Sequence, residues 1–145
     1  VATFSASGTS LSPTKIEVQA RQFTLTIDEP PNLGGEDHGA NPVEYVLGAL
    51  LGCLNVVIQM VAKEKGIEYR SLKLTAEGGL DPAKLMGQDV TTRPGFQEIR
   101  VQVELDTDAD EQAVAELLSE AESRCPVSDN LANATPVRIS AAARA

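Results

Sequence analysis

Residues 45–62, YVLGALLGCLNVVIQMVA, run eighteen positions without a charge. A helix this apolar around most of its circumference has to be covered on nearly every side, which places it at the centre of a fold. Its flanks give it sharp ends. Asn41 is a good N-cap, Pro42 suits the first helical position, and Glu44 stands three residues after Asn41 to complete a capping box. Lys63, Glu64 and Lys65 followed by Gly66 close it. The run is near the minimum length for a membrane span. Asn55 and Gln59 lie within it, however, and the rest of the chain patterns as a soluble domain, so a core helix is expected and a membrane partner is not.

At about 100° per residue, Glu44, Gly48, Gly52, Asn55, Gln59 and Lys63 share one stripe of this helix. Cys53 falls nearly opposite, among Val46, Ala49, Leu50, Val57 and Met60. Gly48 and Gly52 lack the side chain that would keep another backbone at a distance. A thiol on so apolar a face has a raised pKa unless a cation or a helix dipole opposes it, so reactivity at Cys53 requires such a partner.

A chain of 145 residues suits a single domain, 1–145, with a real core. The formal net charge of −9, with no Lys/Arg cluster to offset it, repels phosphate backbones and excludes nucleic acid as an expected partner. No basic segment followed by an apolar stretch opens the chain, so no secretory signal is expected and the expected location is cytoplasmic. In that reducing compartment two cysteines are catalytic, redox-sensing, metal-binding or plain packing, rather than a structural disulfide.

The remaining segments alternate between strand and helix signals. Residues 3–10 are short and polar, a plausible first strand, and Ser12-Pro13-Thr14 reads as a turn. Ile16, Val18 and Ala20, then Phe23, Leu25 and Ile27, alternate with polar residues across Arg21-Gln22 and predict a hairpin. Residues 28–40, DEPPNLGGEDHGA, predict a loop without regular structure. After the central helix, residues 67–76 read as a strand. A long connection follows, with a short helix expected at 83–86. Residues 96–105 form the clearest strand, with Ile99, Val101, Val103 and Leu105 on one face. Asp108 is the expected cap of a second, amphipathic helix, which closes at Arg124-Cys125-Pro126. A short helical turn at 128–132 and a last strand through Val137, Ile139 and Ala141 complete the chain. Strands and helices so segregated argue an α+β fold with a largely antiparallel sheet. So few elements cannot wrap an almost wholly apolar helix, and a second subunit in a two-fold dimer is the simplest source of the missing cover.

Cys53 and Cys125 have two readings. They can be small apolar residues in a core. They can also be a reactive pair, in which one thiolate attacks a hydroperoxide O–O bond and the other condenses with the resulting sulfenic acid. A metal site is the poorer reading, with no Cys-x-x-Cys and the single histidine, His38, in a loop. A serine triad has no nucleophile elbow and only His38 as a base.

The segment GGEDHGANPVEYVLGALLGC, followed some seventy residues later by CPVSDNL, resembles the OsmC/Ohr superfamily of osmotically inducible and organic hydroperoxide resistance proteins. The resemblance spans nearly the whole chain. It implies an intertwined homodimer whose antiparallel sheets wrap two long central Cys-bearing helices. It also implies thiol-dependent reduction of organic hydroperoxides, with no bound cofactor. An external dithiol is the reductant, lipoyl groups in the best-understood branch. Cys53 matches the family's peroxidatic cysteine and Cys125 its resolving one. The family draws an Arg from its N-terminal part to hold the thiolate and bind peroxide, and Arg21 is the Arg that part contains.

The family's partner to that Arg is a Glu ten residues before the peroxidatic cysteine, where this chain has Val43. Glu44 is one residue later, about 180° around the helix from Cys53, and its capping-box role explains it without catalysis. The expected function is therefore a dimeric peroxidase acting on organic or fatty-acid hydroperoxides, with Cys53, Cys125, Arg21 and Glu44 as candidate catalytic residues. Val46, Leu50, Val57 and Met60 are the expected apolar lining for substrate. The alternative is a redox-inactive dimer of the same family, binding a small apolar ligand or acting structurally.

Overall fold

The computed structural model describes residues 1–142. They fall into two compact units, Val1–Gly48 and a second that begins at Ala49. The first unit holds a three-stranded antiparallel sheet, β1 (Ser7–Ser10), β2 (Ile16–Ala20) and β3 (Phe23–Ile27), in sequence order. The predicted hairpin is present, with Ile16 opposite Ile27 and Ala20 opposite Phe23. Residues 3–6 do not join β1, which is confined to four residues.

Residues 28–40 are irregular, as expected, except for one 3₁₀ turn at Pro31–Leu33. Pro31 opens it and Gly34, at φ 88°, ends it, so the residues that bar longer helices build this short one. The loop is tied down by Asp28, whose side chain is buried. Its carboxylate accepts from Thr14 Oγ1 at 2.7 Å, Glu29 N at 2.8 Å and His38 N at 3.1 Å.

Helix α1 spans Pro42–Lys65 and starts as the sequence predicts. Glu44 N donates to Asn41 Oδ1 and Asn41 N to Glu44 Oε1, each at 2.9 Å. Gly66, at φ 71°, terminates it. The most apolar 18-residue window of α1 has a mean hydropathy of 2.0, long and apolar enough to cross a membrane.

The second unit pairs β4 (Tyr69–Gly79) with β5 (Glu98–Thr107) in a two-stranded antiparallel sheet. Ile99, Val101, Val103 and Leu105 turn inward together with Leu72 and Leu74 and pack on the apolar core of this unit, as the alternation requires. Residues 82–87 make turns rather than the short helix expected at 83–86; Met86 N still donates to Pro82 O at 3.0 Å. Helix α2 is Glu111–Arg124, and α3 is Pro126–Ala132. The cap of α2 is Asp110, which accepts from Ala113 N at 2.8 Å, not Asp108. Asp108 is already engaged, accepting from Arg70 at 3.1 Å. Leu50, Leu54, Val57, Ile58, Val61 and Ala62 of α1 form the core with Leu117, Ala121 and Cys125.

The last predicted strand is absent from the described residues. Val137 and Ile139 are exposed, and residues 134–142 make no ladder. Alternation records a fit to a pleated surface, and a strand forms only where a neighbouring strand is supplied.

Candidate active site

The buried face of α1 is centred on Leu54, Ile58 and Val61. Cys53 precedes Leu54 by about 100° and so stands at the margin of that face, half-buried. Beyond it the helix surface is exposed through Ala49, Gly52, Val56 and Met60. The apolar face that the sequence reading grouped around Cys53 is thus divided. Leu50 and Val57 are in the core, Val46 is half-buried, and Met60 is 49% exposed. The cause is the direction from which β4, β5 and α2 cover the helix, which helical spacing alone does not give.

Cys125 comes to the same place from the far end of α2. It ends that helix and caps the next, so its backbone is extended between two helices. Only 1% of it is exposed. Its Sγ takes the place that a serine or aspartate oxygen holds at most helix starts, and Ser128 N donates to it at 3.4 Å. Pro126, at the first helical position, has no N–H to offer, and the Ser128 amide is the donor to the sulfur. Arg124 fixes the end of α2 against the end of α1, donating to both carboxylate oxygens of Glu64 at 2.7 and 3.1 Å.

The two thiols are free, and Cys53 packs against the core cluster to which Cys125 belongs. Burial pushes the Cys125 thiol up from its ordinary value, and the Cys53 thiol beside it pushes the same way. The amides of Ser128 and Val127 pull against both. Two thiols so placed can condense when one is oxidised to the sulfenic acid.

Glu44 spends one carboxylate oxygen on the backbone of Asn41. Arg21 occupies the turn between β2 and β3 in the left-handed region, φ 53°, with its guanidinium 5.1 Å from the centre of the Phe23 ring. His38, 48% exposed, has Nδ1 3.9 Å from Asp28 and Nε2 3.8 Å from Glu36.

A cavity of about 500 Å³ opens in the second unit. Leu50, Leu54 and Ile58 of α1, Val101 of β5, Leu118 of α2 and Leu131 of α3 are among its walls. Of the four residues expected to line a substrate site, Leu50 is in its wall; Val46, Val57 and Met60 are not.

The sequence reading missed the amides behind Cys125, the Arg124–Glu64 clamp and the role of Asp28. One of these was legible: Cys-Pro-Val-Ser repeats the Ser-Pro pattern of a helix start with sulfur in place of oxygen.

Comparison with known proteins places this arrangement among others. The family model described as OsmC-like protein matches residues 34–140. An uncharacterized protein of Bacillus subtilis, YmaD, is 26% identical over 114 residues, covering 77% of this chain and 73% of its own length. Among solved structures, an OsmC-like protein from Mycoplasma pneumoniae superposes with a TM-score of 0.78 at 20% identity, covering 90% of this chain and 88% of its own. An organic hydroperoxide resistance protein OsmC from Legionella pneumophila gives a TM-score of 0.69 at 21% identity, covering 90% of each chain.

Proposed function

The chain belongs to the OsmC-like protein family, and from that premise we propose that it is a thiol-dependent peroxidase for organic, fatty-acid-type hydroperoxides, serving oxidative-stress defence. The observation that carries the reading is that Cys53 packs against the core cluster that holds Cys125, seventy-two positions away in sequence. The Cys53 thiolate attacks the hydroperoxide O–O bond, the alcohol leaves, and Cys53 becomes a sulfenic acid. The Cys125 thiol condenses with it, water leaves, and a disulfide joins the two sulfurs. An external dithiol of the lipoyl type then reduces the disulfide, and no bound cofactor takes part. Arg21 is the cation we assign to holding Cys53 as the thiolate.

We assign the working form to a homodimer. The exposed small and apolar residues of α1 support it: Ala49, Gly52, Val56 and Met60 lie on one side, and a Cβ built on Gly48 or Gly52 meets nothing within 4 Å. A second copy placed there covers a helix otherwise apolar enough for lipid. The cavity favours one second reading, a redox-inactive dimer that holds a small apolar ligand.

Turnover separates the two. The chain is supplied with an organic hydroperoxide and reduced lipoamide, and hydroperoxide loss is followed. The peroxidase reading predicts sustained consumption that Cys53→Ser abolishes and that is slower with hydrogen peroxide. Equal consumption by the wild type and Cys53→Ser would overturn it.

A further inference from the structure

We propose, resting on the peroxidase reading, that the Arg124–Glu64 ion pair positions Cys125 for bonding to Cys53. Arg124 is the last residue of α2 and stands immediately before Cys125. Its guanidinium reaches Glu64 near the end of α1 and donates to both carboxylate oxygens, Nη1 at 2.7 Å and Nη2 at 3.1 Å. Glu120, one turn back in α2, stands 3.6 Å from the same Nη1. A planar fork on a carboxylate fixes direction as well as distance, which the point charge of a lysine does not. Glu64 belongs to the same helix as Cys53, about 16 Å further along its axis. The fork therefore refers the residue before Cys125 to the helix that carries Cys53.

Cys125 gains from such a tie because neither flanking helix sets its backbone. It is extended between α2 and α3, and its N–H reaches Glu122 O at 3.3 Å. Pro126 after it returns no hydrogen bond to α2. Leu117 and Ala121 share the core with Ile58, Val61 and Ala62, which seats the middle of α2 on α1. Glu122, Ser123 and Arg124 beyond them are exposed, so the fork is what holds the last turn. An ion pair this exposed adds little to folding, but it restrains the same freedom that a disulfide removes. Two ties across the same helix ends favour each other. The pair raises the equilibrium constant for the Cys53–Cys125 disulfide, and the disulfide tightens the pair.

The test uses the full chain in glutathione redox buffers, with no hydroperoxide. Protein dithiol and oxidised glutathione exchange to protein disulfide and two reduced glutathiones, two electrons passing in all. Acid quenching, N-ethylmaleimide labelling and intact mass give the disulfide fraction at equilibrium, which does not depend on which sulfur the reagent reaches first. Arg124→Ala and Glu64→Gln should each lower the constant about two- to fivefold, and Arg124→Lys should restore part of the loss. Salt at about 1 M should bring the wild type towards the variants. Arg70→Ala, which removes the pairing with Asp106 and Asp108 at 2.7 and 3.1 Å, should leave the constant unchanged. Equal constants in the wild type, Arg124→Ala and Glu64→Gln, or the same loss in Arg70→Ala, would overturn the proposal and leave the peroxidase reading standing. A wild type that forms no disulfide in any buffer overturns both. A disulfide that depends on the pair, in a chain that consumes no hydroperoxide, sinks the peroxidase reading alone.

Discussion

Cys125 belongs to the core cluster against which Cys53 packs, and its sulfur accepts a hydrogen bond from the Ser128 amide at 3.4 Å. One residue thus joins the central helix of the chain to the start of a short one. Pro126 makes this possible. It cannot continue α2 with a hydrogen bond of its own, and its fixed φ suits the first position of α3.

The packing around that junction predicts a large penalty for one substitution. Leu117 is fully buried between α2 and the core face of α1. Leu117→Ala should lower unfolding free energy by about 2–5 kcal/mol, the range for buried leucines. Urea denaturation followed by circular dichroism measures it.

The start of α1 offers a test that separates capping from catalysis. Glu44→Gln keeps an oxygen to accept from Asn41 N, so stability and hydroperoxide consumption should both be unchanged. Asn41→Ala removes the acceptor for Glu44 N and should cost about 1 kcal/mol. If Glu44→Gln loses activity without losing stability, the carboxylate acts in chemistry as well as in capping.

Asp28 makes the chain's stability depend on acid. Its carboxyl is held down from 3.8 to about 2, first by the Thr14 hydroxyl and then, against the cost of burial, by the amides of Glu29, His38 and Glu36. A carboxyl lowered on folding contributes stability that is complete above its ordinary value and is lost as pH falls towards its folded value. The urea midpoint should therefore fall between about pH 4 and pH 2. In Asp28→Asn that part of the fall should be missing, and the midpoint at neutral pH should already be lower.

The exposed face of α1 predicts a change of assembly. Val56→Asp places a charge in the patch with Gly52 and Met60, where a second copy would desolvate it. Sedimentation should show a dimer for the wild type and a monomer for the variant. A monomeric wild type would contradict the assignment.

Much of this molecule could be read from sequence because local rules and global packing agree there. Asn41, Pro42, Glu44 and Gly66 specify α1 at both ends, and Ile99 to Leu105 specify the inner face of β5 by strict alternation. Other features depended on relations between distant residues. Asp108 was available as a cap until Arg70, thirty-eight residues earlier, took it. Val137 and Ile139 alternate as a strand does, but a strand needs a neighbour, and none is supplied among the described residues. At the site, both cysteines were evident as residues. The margin on which Cys53 stands was not, because it depends on where the sheet and α2 cover the helix.

Intact mass tests the central claim most directly. The reduced chain is treated with one equivalent of an organic hydroperoxide and weighed. The account predicts loss of two hydrogens in the wild type, gain of one oxygen in Cys125→Ser, and no change in Cys53→Ser. A wild type that keeps its mass and both titratable thiols after treatment would contradict it.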